Sequence, residues 1–120
     1  MQQVPNSNPR KFKCSNGEQI TIKFTATPEN SLSLIKFCFK GSCPENEQQE
    51  VSGNELTFTI NSPGTPLQIF FFFIPAAPGA ARGKCDVLLT SSTGETFPDP
   101  SPVRESTTGT VPRKIYIFEV

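Results

Sequence analysis

The four cysteines carry the most specific chemistry in this sequence. Cys38 and Cys43 flank the segment FKGS, and a two-residue hairpin turn at Lys40 and Gly41 would place them opposite each other. Directly opposed residues on antiparallel strands have Cα atoms about 4.5 to 5.5 Å apart, which is within reach of a disulfide. We therefore expect a Cys38–Cys43 bridge on the polar face of its strand.

Cys14 and Cys85 form the second candidate pair, because each shares a strand face with an apolar neighbour. Their bridge would close a loop of about 72 residues and contribute about 4 kcal/mol in the chain-entropy model, against about 2 kcal/mol for the short loop. More than one connectivity is possible for four cysteines. Four reduced, buried thiols are the alternative. A zinc site is disfavoured, because zinc prefers closely spaced cysteines or histidine partners and the chain has no histidine.

The state of the cysteines bears on the compartment. Bridged cysteines indicate an oxidising, extracellular environment, and reduced ones indicate the cytoplasm. The first residues, MQQVPNSNPRKFK, have no apolar core of the signal-peptide type. We expect either a cytosolic chain or one whose cleaved signal has been replaced by Met1.

Groups suited to catalysis are sparse. Histidine, the commonest general base, is absent, and no phosphate-binding glycine loop occurs. The carboxylates are scattered except in PENEQQE, residues 44–50, which lacks the ligand spacing of a calcium loop. We therefore predict a non-enzymatic protein with no cofactor and no metal site.

Two segments nevertheless contain polar residues that could bind a sugar or an ion. They are residues 44–50 and the Pro-, Ser- and Thr-rich stretch 98–112, which we expect to be an irregular loop or an edge segment. The candidate ligand residues are Glu45, Asn46, Glu47, Asp99 and Arg104. Asp99 stands between two prolines, so a role in a turn is the alternative interpretation. The absence of Trp and the single Tyr weigh against a stacking platform for sugars.

Length and charge narrow the remaining classes. The 120 residues suit one domain, which we place at residues 10–120 after an N-terminal extension at 1–9. The 11 basic and 11 acidic residues balance, which argues against nucleic acid or an anionic membrane surface as the main partner. No apolar run reaches the roughly 18 residues of a membrane helix.

Alternating apolar residues predict strands along most of the chain. Examples are Ile20, Ile22 and Phe24 near the start, and Tyr116, Phe118 and Val120 at the end. Short turn signals separate these runs, so we predict an all-β antiparallel sandwich of about seven or eight strands, immunoglobulin-like or jelly-roll-like. The buried core should include Phe24, Phe37, Phe58 and one of Phe71 or Phe72.

The end of the chain supports this fold by resemblance. Gly94, Phe97 and Asp99 form a G-x-x-F-x-D stretch, and a K-x-Y-x-F-x-V strand follows it. Together they resemble the last hairpin of many immunoglobulin-like sandwiches. The resemblance implies a fold and no function.

The stretch IFFFFIP, residues 69–75, poses the main functional question. As a strand it places Ile69, Phe71 and Phe73 on one face and Phe70, Phe72 and Ile74 on the other. Only one face can meet the core, so the second needs a cover from the same chain, from another protein molecule or from an apolar ligand. We expect part of that cover to come from a second molecule, with Phe70, Phe72 and Ile74 as interface candidates.

These features lead to three hypotheses about function. The first is a non-enzymatic, self-associating or partner-binding β-sandwich module, for example a subunit of an extracellular assembly. The second is a carbohydrate-binding module that uses the two loops. The third is a small, disulfide-stapled secreted effector.

Overall fold

The computed structural model describes residues 1–26, 32–39, 43–51, 55–61, 63–75, 81–99, 103–106 and 114–120. Within these residues the regular elements are strands and one 3₁₀ turn at Glu45–Glu47. The strands are β1 (Gln2–Gln3), β2 (Arg10–Lys13), β3 (Gln19–Ala26), β4 (Leu32–Cys38), β5 (Gln49–Glu50), β6 (Glu55–Thr59), β7 (Leu67–Pro75), β8 (Ala81–Ser91), β9 (Thr96–Pro98), β10 (Val103–Ser106) and β11 (Lys114–Glu119). The prediction of an all-β chain is confirmed.

The strands form two sheets. The first has the order β1-β2-β11-β7-β4-β5, and the second has the order β10-β8-β3-β6, with β9 pairing with β8 as well. Neighbouring strands are antiparallel except β2 and β11, which run parallel. The described residues contain eleven strands instead of the predicted seven or eight. The difference comes mainly from β1, β5 and β9, which have two or three residues each and too little alternation to be visible in the sequence.

Aromatic side chains from the two sheets meet in the core. The ring centroids of Phe24 in β3 and Phe71 in β7 are 4.9 Å apart, in an edge-to-face arrangement. Phe24, Phe71 and Phe118 have no exposed surface. Each such side chain contributes about 1.5 to 3 kcal/mol relative to an exposed one. Phe24, Phe71 and Phe118 therefore point into the core, as the alternation of apolar residues in β3, β7 and β11 predicts.

Phe58 is less buried than the alternation of apolar residues along its strand predicts. It faces the core and packs edge-to-face on Phe118 with centroids 5.2 Å apart, yet it is only half-buried. The reason is the position of its strand, because β6 is the last strand of the second sheet. Alternation specifies the face of a strand but not whether the strand is central or at an edge.

The two segments that resemble a final hairpin do not pair with each other. β9 pairs with β8 in the second sheet, whereas β11 pairs with β2 and β7 in the first. Gly94 does form the predicted turn, between β8 and β9, with a φ of 90° that favours glycine.

The described part of residues 98–112 includes an edge segment, one of the two alternatives expected from the sequence. Val103–Ser106 forms β10, which pairs with β8. Residues 1–9, predicted to be an extension, contribute β1. Met1 is buried and packs in the core cluster. Within the described residues, no helix has the length and apolar character needed to cross a membrane.

Candidate interaction surface

The outward face of β7 is partly covered by the chain itself. Phe72 lies opposite Lys36 and is only 1% exposed, although it points away from the core that Phe71 enters. This burial corrects the expectation that Phe72 takes part in an interface, because a side chain already covered offers no surface to a second molecule. Ile74 belongs to β7, but its side chain lies outside the described residues.

Phe70 remains partly open on this face. It pairs with Ile115 of β11 on one side and with Cys38 of β4 on the other. Ile117 follows two residues after Ile115 on the same face, and all of Phe70, Ile115 and Ile117 are half-buried. We call these three residues the apolar strip. A flat sheet face with adjacent, incompletely covered apolar side chains is suited to contact with another protein.

Charged residues border the apolar strip on the side of β2. Glu119 accepts ion pairs from Lys11 at 3.1 Å and from Lys13 at 2.7 Å. Hydrogen bonds from Lys13 and then Lys11 hold the pKa of Glu119 below its ordinary value. Exposed pairs of this kind contribute little to stability. The apolar strip therefore has a polar border, as the rim of a protein interface does.

The disulfide lies at the opposite side of the strip. Cys38 and Cys43 are bridged, as the sequence predicts, with Cα atoms 6.4 Å apart, and the turn predicted at residues 40–41 lies outside the described residues. Phe39, next to the bridge, is 43% exposed, and its ring centroid lies 5.6 Å from that of Phe37 in an edge-to-face arrangement. Alternation alone would place Phe39 on the same strand face as the buried Phe37. Its exposure differs because β4 ends at Cys38.

The predicted Cys14–Cys85 bridge is wrong. Cys14 is a free thiol, and it lies near Glu18, whose carboxylate contacts Ser91 at the end of β8. Cys85 is paired with Ala26 of β3. It lies six residues before Ser91 on β8, which separates Cys85 from Ser91 by about 20 Å along the strand. A disulfide needs Cα atoms within about 7 Å. Burial, and then the nearby charge of Glu18, raise the pKa of Cys14 to about 11.

The predicted loop-ligand residues do not converge on one site. Asn46 and Glu47 are exposed beside β5, and Glu45 begins the same 3₁₀ turn. Asp99 is buried next to Arg10 of β2, and β11, β7 and β4 separate β2 from β5. Arg104 lies in β10 of the other sheet, with its side chain outside the described residues. Among the described residues, these candidates thus lie on separate strands, and residues 100–102 and 107–112 of the second loop lie outside the described residues.

Asp99 has an internal role that the sequence did not indicate. It accepts a hydrogen bond from the Tyr116 hydroxyl, and its Oδ2 lies 4.0 Å from Nη1 of Arg10. Burial and then the hydrogen bond to Asp99 raise the pKa of Tyr116 above its ordinary value. The Arg10 guanidinium also lies 5.2 Å from the ring centre of Phe12. In the sequence, the only sign of this buried contact was a single tyrosine, Tyr116, at an inward position of an apolar strand.

A second internal cluster surrounds Glu18. The nitrogen of the Met1 ammonium lies 2.9 Å from Oε2 of Glu18 and 3.0 Å from Oε2 of Glu95. The Ser91 hydroxyl donates a hydrogen bond to the Glu18 carboxylate. Burial alone would raise the pKa of Glu18. The hydrogen bonds from Ser91 and from the Ser15 amide, with the Met1 ammonium, lower the pKa below its ordinary value.

A shallow cavity lies where β6 leads into β7. Its volume is about 200 Å³, and Thr59, Ile60, Asn61, Thr65 and Leu67 line it. These side chains offer hydroxyl, amide and aliphatic groups. Within the described ranges no group of three or more His, Cys, Asp or Glu residues is placed to hold a metal ion.

Comparisons with protein-family models, curated proteins and solved structures found no match. We therefore infer function from the surfaces of the molecule alone.

Proposed function

We propose that this chain is a non-enzymatic, self-associating or partner-binding module in which two β-sheets form an immunoglobulin-like or jelly-roll-like sandwich. The observation that carries the proposal is the apolar strip of Phe70, Ile115 and Ile117. The strip lies on the face of the first sheet that points away from the core, and its three side chains remain half-buried. Covering them would add apolar burial that the single chain leaves incomplete.

The surroundings of the strip support a protein contact. Two lysines paired with Glu119 border one side, and the Cys38–Cys43 bridge borders the other. The bridge holds the end of β4 in place, so the surface needs little ordering when it binds. The same bridge supports an oxidising, extracellular compartment.

The test is the dependence of molecular mass on protein concentration, measured by sedimentation or light scattering. We expect the wild type to associate and Phe70→Ser to shift the protein toward the monomer without unfolding it. Asp86→Ser is the matched control, because Asp86 is exposed on β8 of the second sheet, away from the apolar strip. A wild type that stays monomeric at every concentration would contradict self-association, and equal effects of both variants would remove the strip from the contact.

A further inference from the structure

β6 ends the second sheet, and within the described residues no strand pairs with its other side. The Ile60 amide donates to the Glu18 carbonyl of the segment that enters β3, at 2.9 Å. Main-chain groups alternate in direction along a strand, so those of Phe58 and Leu56 also face β3. The N–H and C=O groups of Glu55, Thr57 and Thr59 therefore point away from the sheet.

The contact between Thr21 and Thr57 supports this assignment. Their hydroxyl oxygens are 3.1 Å apart, and the two residues are directly paired. Such closeness is typical of the pairs that do not exchange main-chain hydrogen bonds, whose side chains approach more closely. Thr57 thus directs its main-chain groups toward the free side of β6.

Within the described residues, the only usual protection against pairing on this edge is the charge of Glu55 at one end of β6. Free edges are commonly blocked by lysine, by proline, by a bulge or by a very short strand. β6 has five residues, ELTFT, and its register with β3 is continuous. By contrast, β1 and β5 at the ends of the first sheet have two residues each. The register of β10, on the other side of the second sheet, is interrupted between Val103 and Glu105.

The edge is complementary to itself. If two copies of β6 run antiparallel with Thr57 opposite Thr57, Glu55 of each copy faces Thr59 of the other. All three outward-pointing residues then meet partners, which gives about six main-chain hydrogen bonds. No carboxylate faces a carboxylate, so like charges do not oppose the pairing.

The same register also matches the apolar residues of the edge. Leu56 of each copy lies opposite Phe58 of the other, on the side that faces the core. Both residues are half-buried in the single chain and pack against the core. A second β6 would cover the sides that the end of the sheet leaves open. This match favours a second copy of the chain over an unrelated extended peptide.

We propose that β6 is a second contact surface, which pairs with β6 of another copy around a two-fold axis at Thr57. It is separate from the apolar strip, which lies on the other sheet, and it does not depend on the proposed role of the strip. Chains that used both surfaces in alternation would form assemblies larger than a dimer.

The test places like or unlike charges on the proposed axis. Thr57→Lys and Thr57→Glu should each weaken self-association by about tenfold or more, because identical charges then face each other. An equimolar mixture of the two variants should associate again as a heterodimer. Thr21→Val is the matched control, since it removes the same hydroxyl contact as either variant and leaves the edge unchanged. Sedimentation and circular dichroism report assembly and folding separately.

Three outcomes decide between the surfaces. Weak association of each charged variant with recovery in the mixture supports the β6 contact, whatever Phe70→Ser does. Undiminished association of Thr57→Lys and Thr57→Glu overturns it. In that case the response of Phe70→Ser alone decides the role of the strip. A monomeric wild type overturns the β6 contact and also self-association through the strip.

Discussion

The hydroxyl group of Tyr116 donates a hydrogen bond to the carboxylate of Asp99, and both side chains are buried. Tyr116 lies in β11 of the first sheet, and the Asp99 amide donates to the Val87 carbonyl of the second sheet at 2.7 Å. This polar contact thus joins the two sheets in the interior of the molecule. It places the Asp99 side chain in the interior.

Replacing the donor should destabilise the fold. Tyr116→Phe keeps the ring and removes the hydroxyl, which leaves a buried carboxylate with one donor fewer. We expect a loss of about 1 to 3 kcal/mol in the free energy of unfolding by urea denaturation. Lys114 lies in the same strand, so Lys114→Gln serves as a control for a change in β11 without this contact. Equal stability of Tyr116→Phe and wild type would contradict the role assigned to the pair.

Alkaline pH should act on the same pair. The pKa of Tyr116 is raised in the folded state, so the folded protein retains a proton that the unfolded chain releases above about pH 10. The contribution of Tyr116 to stability should therefore be complete below this pH and be lost as the pH rises beyond it. Tyr116 is the only tyrosine, so absorbance of the phenolate reports its ionisation directly. An ordinary titration near pH 10 in the folded protein would contradict the prediction.

Glu18 should determine part of the decrease in the free energy of unfolding at acidic pH. Its folded-state pKa is lowered, so its contribution is complete above the unfolded-state pKa of about 4.3 and declines as the pH falls below it. Glu18→Gln should reduce this decrease when unfolding is measured between neutral and acidic pH. Glu55→Gln is the control, because Glu55 is exposed in β6. The prediction fails if the two variants show the same acid dependence.

The two outward phenylalanines of β7 should respond differently to truncation. Phe72 is 1% exposed and Phe70 is half-buried. Phe72→Ala should cost about 3 to 5 kcal/mol of stability, as for other fully buried phenylalanines, and Phe70→Ala clearly less. Thermal and urea unfolding of both variants measure this difference. Similar losses would mean that Phe70 is as deeply buried as Phe72.

The cysteines should differ in reactivity. A peptide map without reductant should join residues 38 and 43 and leave Cys14 unbridged. Because its pKa is raised to about 11, Cys14 should react slowly with iodoacetamide at neutral pH in the folded state and quickly after unfolding. Cys38→Ser combined with Cys43→Ser should lower stability by about 2 kcal/mol, the value for a short loop. Rapid native alkylation of Cys14 would contradict its burial.

The sequence determined the features that depend on neighbours along the chain. Alternation placed Ile20, Ile22 and Phe24 on the inward face of β3, and all three are buried. The short spacing of Cys38 and Cys43 predicted their bridge, because a separation of five residues keeps the two side chains close whatever the order of the strands. Local stereochemistry fixes both features, so no knowledge of strand order was needed.

Only the tertiary structure decided which strands are neighbours and which are at an edge. Alternation gives Phe58 and Phe71 the same inward phase, but Phe58 lies in an edge strand and Phe71 in a central one, so only Phe71 is fully buried. The free thiol of Cys14 and the pairing of Asp99 with Tyr116 depend equally on strand order. Contacts between residues distant in the chain arise from the packing of whole sheets, which the period of a single strand does not encode.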